Sequence, residues 1–133
     1  MENKNLNRIK SALLIKKKSN IHGIGIFAGE FIPKGLKFYI IPLKKIFNIP
    51  RSRCAHIGDG KYVCDKKVLN YINHSCNPNS LLDISGVQPS SVALRDIQIN
   101  EEITCNYNLT EIGGKKIICK CKSNNCKGYF LKI

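Results

Sequence analysis

Hydrophobic and polar positions alternate over short stretches in this chain and break often, and no segment sustains a helical stripe. Residues 1–10 are polar and basic and predict a frayed end. From Leu13 onward the pattern is that of strands cut by turns. The stretch HGIGIFAGEFIPKGLKFYIIPL, residues 22–43, reads as a Gly-punctuated turn, a short strand, a second turn at Pro33-Lys34-Gly35 and an apolar strand over Leu36–Ile41. Residues 44–60, with Pro50, Gly58 and Gly60, predict a loop region, and a short strand is expected around Tyr62–Cys64. Lys66 to Ile72 suits a single helical turn, while Tyr71 and Ile72 alone read as the end of an apolar strand. A polar run follows, Asn73-His74-Ser75-Cys76, and then Asn77-Pro78-Asn79, whose residues favour a tight turn. Further on, Ile103 marks a strand on which period two puts Ile103, Cys105 and Tyr107 on one face.

One internal echo runs through the pattern. Ala28, Ile32, Gly35 and Phe38 match Ala93, Ile97, Asn100 and Ile103 at a constant offset of 65. Gly and Asn fall at the same place in the two copies, and both enter the left-handed backbone region cheaply. Two strand–turn–strand units of like shape are expected, within a small, mainly β domain of many short strands.

At 133 residues the chain suits one domain with a modest core. Ser11–Ile15 is too short to span a bilayer and no cleavable signal pattern precedes it, so a soluble intracellular protein without membrane contact is expected. Lys and Arg number 22 against 9 acids, a net +13, with six basic residues in 1–18 and six more in 115–132. That charge predicts nonspecific affinity for polyanions or acidic partner surfaces.

Seven cysteines make an odd count, which disfavours a closed disulfide framework. Three of them, Cys119, Cys121 and Cys126, form C-x-C-x4-C, and clustered thiols in a reducing compartment more often bind metal. Structural zinc takes four ligands, so a fourth must come from Cys54, Cys64, Cys76, Cys105 or a histidine. Cys76 is attractive because the Asn77-Pro78 turn leaves it at a loop edge.

Taken in order, these pieces are Gly23-x-Gly25, then Ile32-Pro33-Lys34-Gly35, then YINHSCNPN at 71–79. Glu101-Glu102-Ile103-Thr104-x-x-Tyr107 and C-x-C-x4-C-x-Gly128 complete the set. From about Leu13 to the C-terminus the chain resembles the SET-domain family of protein lysine methyltransferases, including the cysteine-rich tail called post-SET. The resemblance implies several short curved sheets with a knot-like crossing of the two signature segments near the C-terminus, plus a small zinc-bound tail. It divides the chain into a basic N-terminus (1–12), the SET domain (13–112) and the tail (113–133). It implies S-adenosylmethionine as cofactor and a protein lysine, on a histone or another protein, as methyl acceptor.

Carried over by position, His22, Gly23, Ile24 and Gly25 would meet the cofactor, the Gly-Ile-Gly stretch through its backbone. Asn73 and His74 would hydrogen-bond the cofactor's amino-acid and adenine portions. Tyr107 would be the active-site phenol, also near the cofactor, and Tyr71 an aromatic beside the site. Zinc would be held by Cys76, Cys119, Cys121 and Cys126. The sequence departs from the family pattern at Cys105, where an aromatic residue usually lines the lysine channel. It departs also at Asn106 and Asn100, and in KGLKFYIIPL, which lacks Tyr-x-Gly-Glu. It reads as a near-minimal version. An inactive SET fold kept for binding, or a zinc-stapled basic module for nucleic acid or acidic proteins, are the alternatives.

Overall fold

A computed structural model describes residues 12–49, 54–85 and 88–106, together with the backbone of two short strands at 117–118 and 129–130. In chain order the strands are β1 (Leu14–Lys18), β2 (Ile24–Ala28), β3 (Lys37–Ile40), β4 (Ile46–Phe47), β5 (Ala55–Gly58), β6 (Lys61–Val63) and β7 (Asn73–His74). They continue with β8 (Ser80–Asp83), β9 (Ser90–Ala93), β10 (Glu102–Cys105), β11 (Ile117–Ile118) and β12 (Tyr129–Phe130). A single 3-10 turn, Leu69–Tyr71, is the only helical element among the described residues. The mainly β expectation holds.

The strands form small sheets with the orders β1-β2-β10-β7, β3-β9-β8, β4-β6-β5 and β11-β12. Pairing is antiparallel except between β10 and β7, which run parallel with Thr104 opposite Asn73 and Cys105 opposite His74. Isoleucines and Phe38 fill the centre. Ile26, Ile32, Phe38, Ile41, Ile72, Ile97 and Ile103 are all buried in one cluster with Val63, Ala28 and Ala93.

The echo at offset 65 is a pseudo-two-fold arrangement. Ile32 and Ile97 exchange backbone hydrogen bonds reciprocally, at 2.9 and 2.8 Å. Asn100 N–H donates to Ala28 O at 2.7 Å, and its counterpart Gly35 N–H donates to Ala93 O at 2.8 Å. Ala28 N–H donates to Glu101 O and Ala93 N–H to Leu36 O, again equivalent by the same shift. Gly35 and Asn100 have φ of +87° and +72°, as the shared turn requires. Each unit gives its two strands to different sheets, so β2 pairs with β10 while β9 pairs with β3. The two units are thus interleaved.

Two local readings differ from expectation. Residues 44–60 are not only loop, because β4 and β5 lie within them and flank β6. The β5–β6 hairpin turns on Asp59-Gly60, with φ of +54° and +69°, the left-handed pair of a two-residue hairpin turn. Tyr71 ends a 3-10 turn, so the single-turn reading of 66–72 holds and the strand reading does not. Asp65 decides this. Its carboxylate accepts from the N–H groups of Lys67 and Leu69, and from Tyr39 Oη at 2.6 Å, closing the turn from its N-terminal side.

Candidate functional site

The parallel contact of β7 with β10 brings the two signature segments together. Backbone bonding extends past the strand, since Ser75 N–H donates to Cys105 O at 3.0 Å. Asn79, buried at the end of the Asn-Pro-Asn turn, joins the pair to β8. Thr104 N–H donates to its Oδ1 at 2.9 Å, and its Nδ2 donates to Glu102 O at 2.8 Å. Ser80 Oγ completes the seam by donating to Thr104 O at 2.6 Å. The turn that follows NHSC is therefore a fastener for β10.

Asn73 is almost fully buried and its amide faces three acceptors: Ser19 Oγ at 3.2 Å, His22 O at 3.0 Å and Glu102 Oε2 at 2.9 Å. Ser19 Oγ lies 2.8 Å from both Glu102 carboxylate oxygens. The same hydroxyl accepts from the N–H groups of Ile21 and His22, while Ser19 N–H donates to Gly23 O. A short loop, Ser19 to Gly23, is thus tied to a buried polar cluster beneath it. Its far side is open. His22, Gly23 and Ile24 are exposed, Gly23 has φ of +48°, and a Cβ there would meet nothing within 4 Å. Gly25 is different, because a Cβ at that position would collide with the Glu102 carboxylate and stand 3.1 Å from Ser19 Cβ.

His74 is buried beside this cluster, and burial pushes its imidazole down to about 4, so it is neutral near pH 7. Its Nε2 lies 3.5 Å from Cys76 Sγ. Cys76 is half-buried at the loop edge, as expected. Cys54 and Cys64, two of the other thiols open to a zinc site on residue type alone, are joined as a disulfide. Cys105 is buried on β10 opposite His74. Tyr71 is half-buried, and Lys16 Nζ lies 4.2 Å from its ring centroid, a cation–π contact.

The structure therefore gathers His22, Gly23, Ile24, Gly25, Asn73 and His74 around one loop and one strand pair, with Cys76 and Cys105 adjoining. Tyr107, Cys119, Cys121 and Cys126 lie outside the described residues. Ser19, Glu102 and Asn79 were not singled out as site residues by sequence. The Glu101-Glu102 pair and the second Asn of Asn-Pro-Asn were the available signals. No helix among the described residues is long and apolar enough to cross a membrane.

Known proteins resemble this chain in sequence and in fold. ASHR3 of Arabidopsis thaliana, a histone-lysine N-methyltransferase, is 31% identical over 101 residues, covering 72% of this chain and 18% of the relative. The H3 lysine-4 specific histone-lysine N-methyltransferase of Schizosaccharomyces pombe is 31% identical over 150 residues, covering 90% of this chain and 16% of the relative. This chain thus spans less than a fifth of the length of either. Among solved structures, KRYPTONITE in complex with mCHH DNA, H3(1–15) peptide and SAH superposes with a TM-score of 0.71 at 21% identity. That match covers 96% of this chain and 31% of the other. The sequence description of the SET domain matches residues 23–108, a span that begins at the exposed glycine rim and includes β7 and β10, and the chain belongs to the SET-domain family.

Proposed function

We propose that this chain is the catalytic domain of an S-adenosylmethionine-dependent protein-lysine N-methyltransferase, with an accessible lysine of a histone or another protein as acceptor. The observation that carries the reading is the exposed His22-Gly23-Ile24 backbone, fastened from below by Asn73, Ser19 and Glu102 beside the paired β7 and β10. Relatives named as histone-lysine methyltransferases, and the neighbour complexed with SAH and an H3 peptide, support the class of cofactor and acceptor. The zinc-stapled basic module leaves the NHSC segment and the family match without a role.

The residues present fit the cofactor. Gly23 leaves open space over a bent backbone, and the Glu102 carboxylate beneath it is bonded to a hydroxyl and an amide among the described residues. Its negative charge suits a ligand carrying a sulfonium and an ammonium. S-adenosylmethionine, when bound, supplies an electrophilic methyl group. The chain's task is to present a neutral amine to it in line. Lysine titrates near 10.4, so neutralising it at pH 7 costs roughly 4–5 kcal/mol. A narrow apolar channel lowers that cost by disfavouring the ammonium form. Holding the reacting groups in line accounts for much of the remaining acceleration. Tyr107 is assigned the role of orienting the amine; a phenol with a pKa of about 10 is a poor base at neutral pH. Tyr71 and Cys105 are assigned to the wall of the site. The knot-like crossing of the two signature segments is supported by the adjacency of β7 and β10.

A zinc-bound tail over 113–133, next to a SET unit over 13–112, belongs to the same proposal. Cys76 fits a ligand role by its chemistry and its loop-edge position, with Cys119, Cys121 and Cys126 as its partners. Zinc there would crosslink the tail to the NHSC segment and take no part in methyl transfer.

The test is transfer of labelled methyl groups from S-adenosylmethionine to a histone panel and proteome extracts, with product sites mapped by mass spectrometry. Label on lysine is expected. Tyr107→Phe should cut turnover on the order of a hundredfold, a typical cost of removing one oriented polar group, with cofactor affinity nearly intact. Absence of labelled lysine from every substrate would overturn the reading.

A further inference from the structure

Resting on that reading for the identity of the ligand, we infer that Glu102 is a positioning residue. It pre-forms the Ser19–Gly25 cofactor rim before any ligand arrives, and Gly25 is glycine to make room for Glu102 rather than for the cofactor.

Four observations converge on this carboxylate. Ser19 Oγ is 2.8 Å from both of its oxygens, and the same hydroxyl accepts from the N–H groups of Ile21 and His22, at 2.8 and 3.2 Å. A hydroxyl has one proton to give, so donating it to the carboxylate turns its lone pairs toward those two amides. Asn73 Nδ2 bridges the carboxylate and His22 O, at 2.9 and 3.0 Å. The loop is thereby held from both its amide side and its carbonyl side by groups that share one anionic acceptor. Finally, the Glu102 carboxylate occupies the space that a side chain at position 25 would claim.

The arrangement is paid in advance by folding. A loop ordered before binding costs the ligand less conformational entropy than one ordered by it. Removing Glu102 takes away the acceptor that aims the Ser19 hydroxyl, while Asn73 keeps Ser19 Oγ and His22 O as acceptors, so the lost order falls first on the Ser19 hydroxyl and the two amides it holds. The effect should appear as loss of cofactor affinity and of loop protection, ahead of any effect on the chemical step.

The experiment compares wild type, Ser19→Ala, Glu102→Gln, Glu102→Ala, Gly25→Ala and the Gly25→Ala/Glu102→Ala double variant. Hydrogen exchange is followed on the unliganded proteins, and S-adenosylmethionine binding is followed by calorimetry. In wild type the Ile21 and His22 amides should be protected without ligand. Ser19→Ala and Glu102→Ala should expose them and raise the dissociation constant roughly 10- to 100-fold, as expected for lost hydrogen bonds to a charged group. Turnover at saturating cofactor should fall far less than affinity. Glu102→Gln, which keeps an acceptor for Ser19, should recover most of the protection. Gly25→Ala should be damaging in wild type and markedly less so once Glu102 is alanine, the 3.1 Å approach to Ser19 Cβ being what remains.

Equal costs of Gly25→Ala in both backgrounds would overturn the steric half of the inference. Unchanged exchange at Ile21 and His22 in Glu102→Ala would overturn the pre-forming half, and unchanged exchange in Ser19→Ala would overturn it if Glu102→Ala does not fold. Wild type that protects the loop but binds no S-adenosylmethionine would instead sink the methyltransferase reading and leave the loop network standing.

Discussion

A thiol at position 105 takes up much less space than the aromatic ring the family usually places there, and it is a weak hydrogen-bond donor. Cys105 is buried on β10 opposite His74, one strand position from the seam made by Asn79, Thr104 and Ser80. How many methyl groups a lysine receives depends on the room around its amine. A phenol with bound water fills that room, whereas a small side chain leaves space for a methylated amine to turn. If, as proposed, Cys105 lines the lysine channel, di- or trimethyl-lysine is the expected product, and Cys105→Tyr should shift it toward monomethyl-lysine. Mass spectrometry of product after prolonged turnover checks this, and exclusively monomethylated product from the wild type would contradict it. At this scale the sequence was legible where residue type is distinctive. Asn73, His74 and the Gly23–Gly25 stretch stood out, and the structure gathers them. Ser19 and Glu102 did not, because a serine and a glutamate are ordinary residues until the fold points them at one another across 83 positions.

Glu101 shows how an element boundary is fixed. It closes the turn before β10 by accepting from Gln98 N–H at 2.9 Å, and it meets Arg95 Nη1 at 2.8 Å and Asn79 Nδ2 at 3.3 Å. Burial pulls its carboxyl upward, but the bonds from Arg95, Gln98 and Asn79 outweigh that and hold it below its ordinary value of 4.5. A depressed carboxylate stabilises the fold fully above its unfolded value and loses that contribution as pH falls through the folded one. Glu101→Gln should therefore lower stability near neutral pH and flatten the loss of stability below about pH 4.5, as read from thermal melting across pH. Identical acid limbs in the two proteins would remove Glu101 from this role. Strands with alternating apolar residues, such as β2 and β3, were readable from pattern alone. β5 was hidden within a stretch scored as loop, although Asp59-Gly60 is a strong hairpin signal. The 3-10 turn was ambiguous because its closure depends on Asp65 accepting from Tyr39, 26 residues away.

At the centre of the described residues are two interleaved strand–turn–strand units, with the NHSC segment and its fastening turn inserted between them in sequence and laid against β10 in space. The constant offset of 65 was visible beforehand, but the exchange of strands between sheets was not, since pairing partners leave no mark on periodicity. This organisation sets the expectation for zinc. Cys76 lies two residues past the end of β7, so a metal on Cys76, Cys119, Cys121 and Cys126 would fasten the C-terminal tail close to the strand that carries Asn73 and His74. The Cys54–Cys64 bridge withdraws two competing thiols from that set. Ligand binding by thiolates is coupled to folding of the segment that supplies them, so the tail's order should depend on the metal. Elemental analysis should find about one zinc per chain, the stoichiometry of a single four-thiolate site. Chelation should lower methyl transfer and cofactor affinity together while leaving the β2–β10 core folded, which circular dichroism can follow. Cys119→Ser and Cys76→Ser should each lose metal, whereas Cys54→Ser should retain it. Metal content unchanged in Cys119→Ser, or zinc absent from protein purified without chelators, would show that the tail is held by something other than this site.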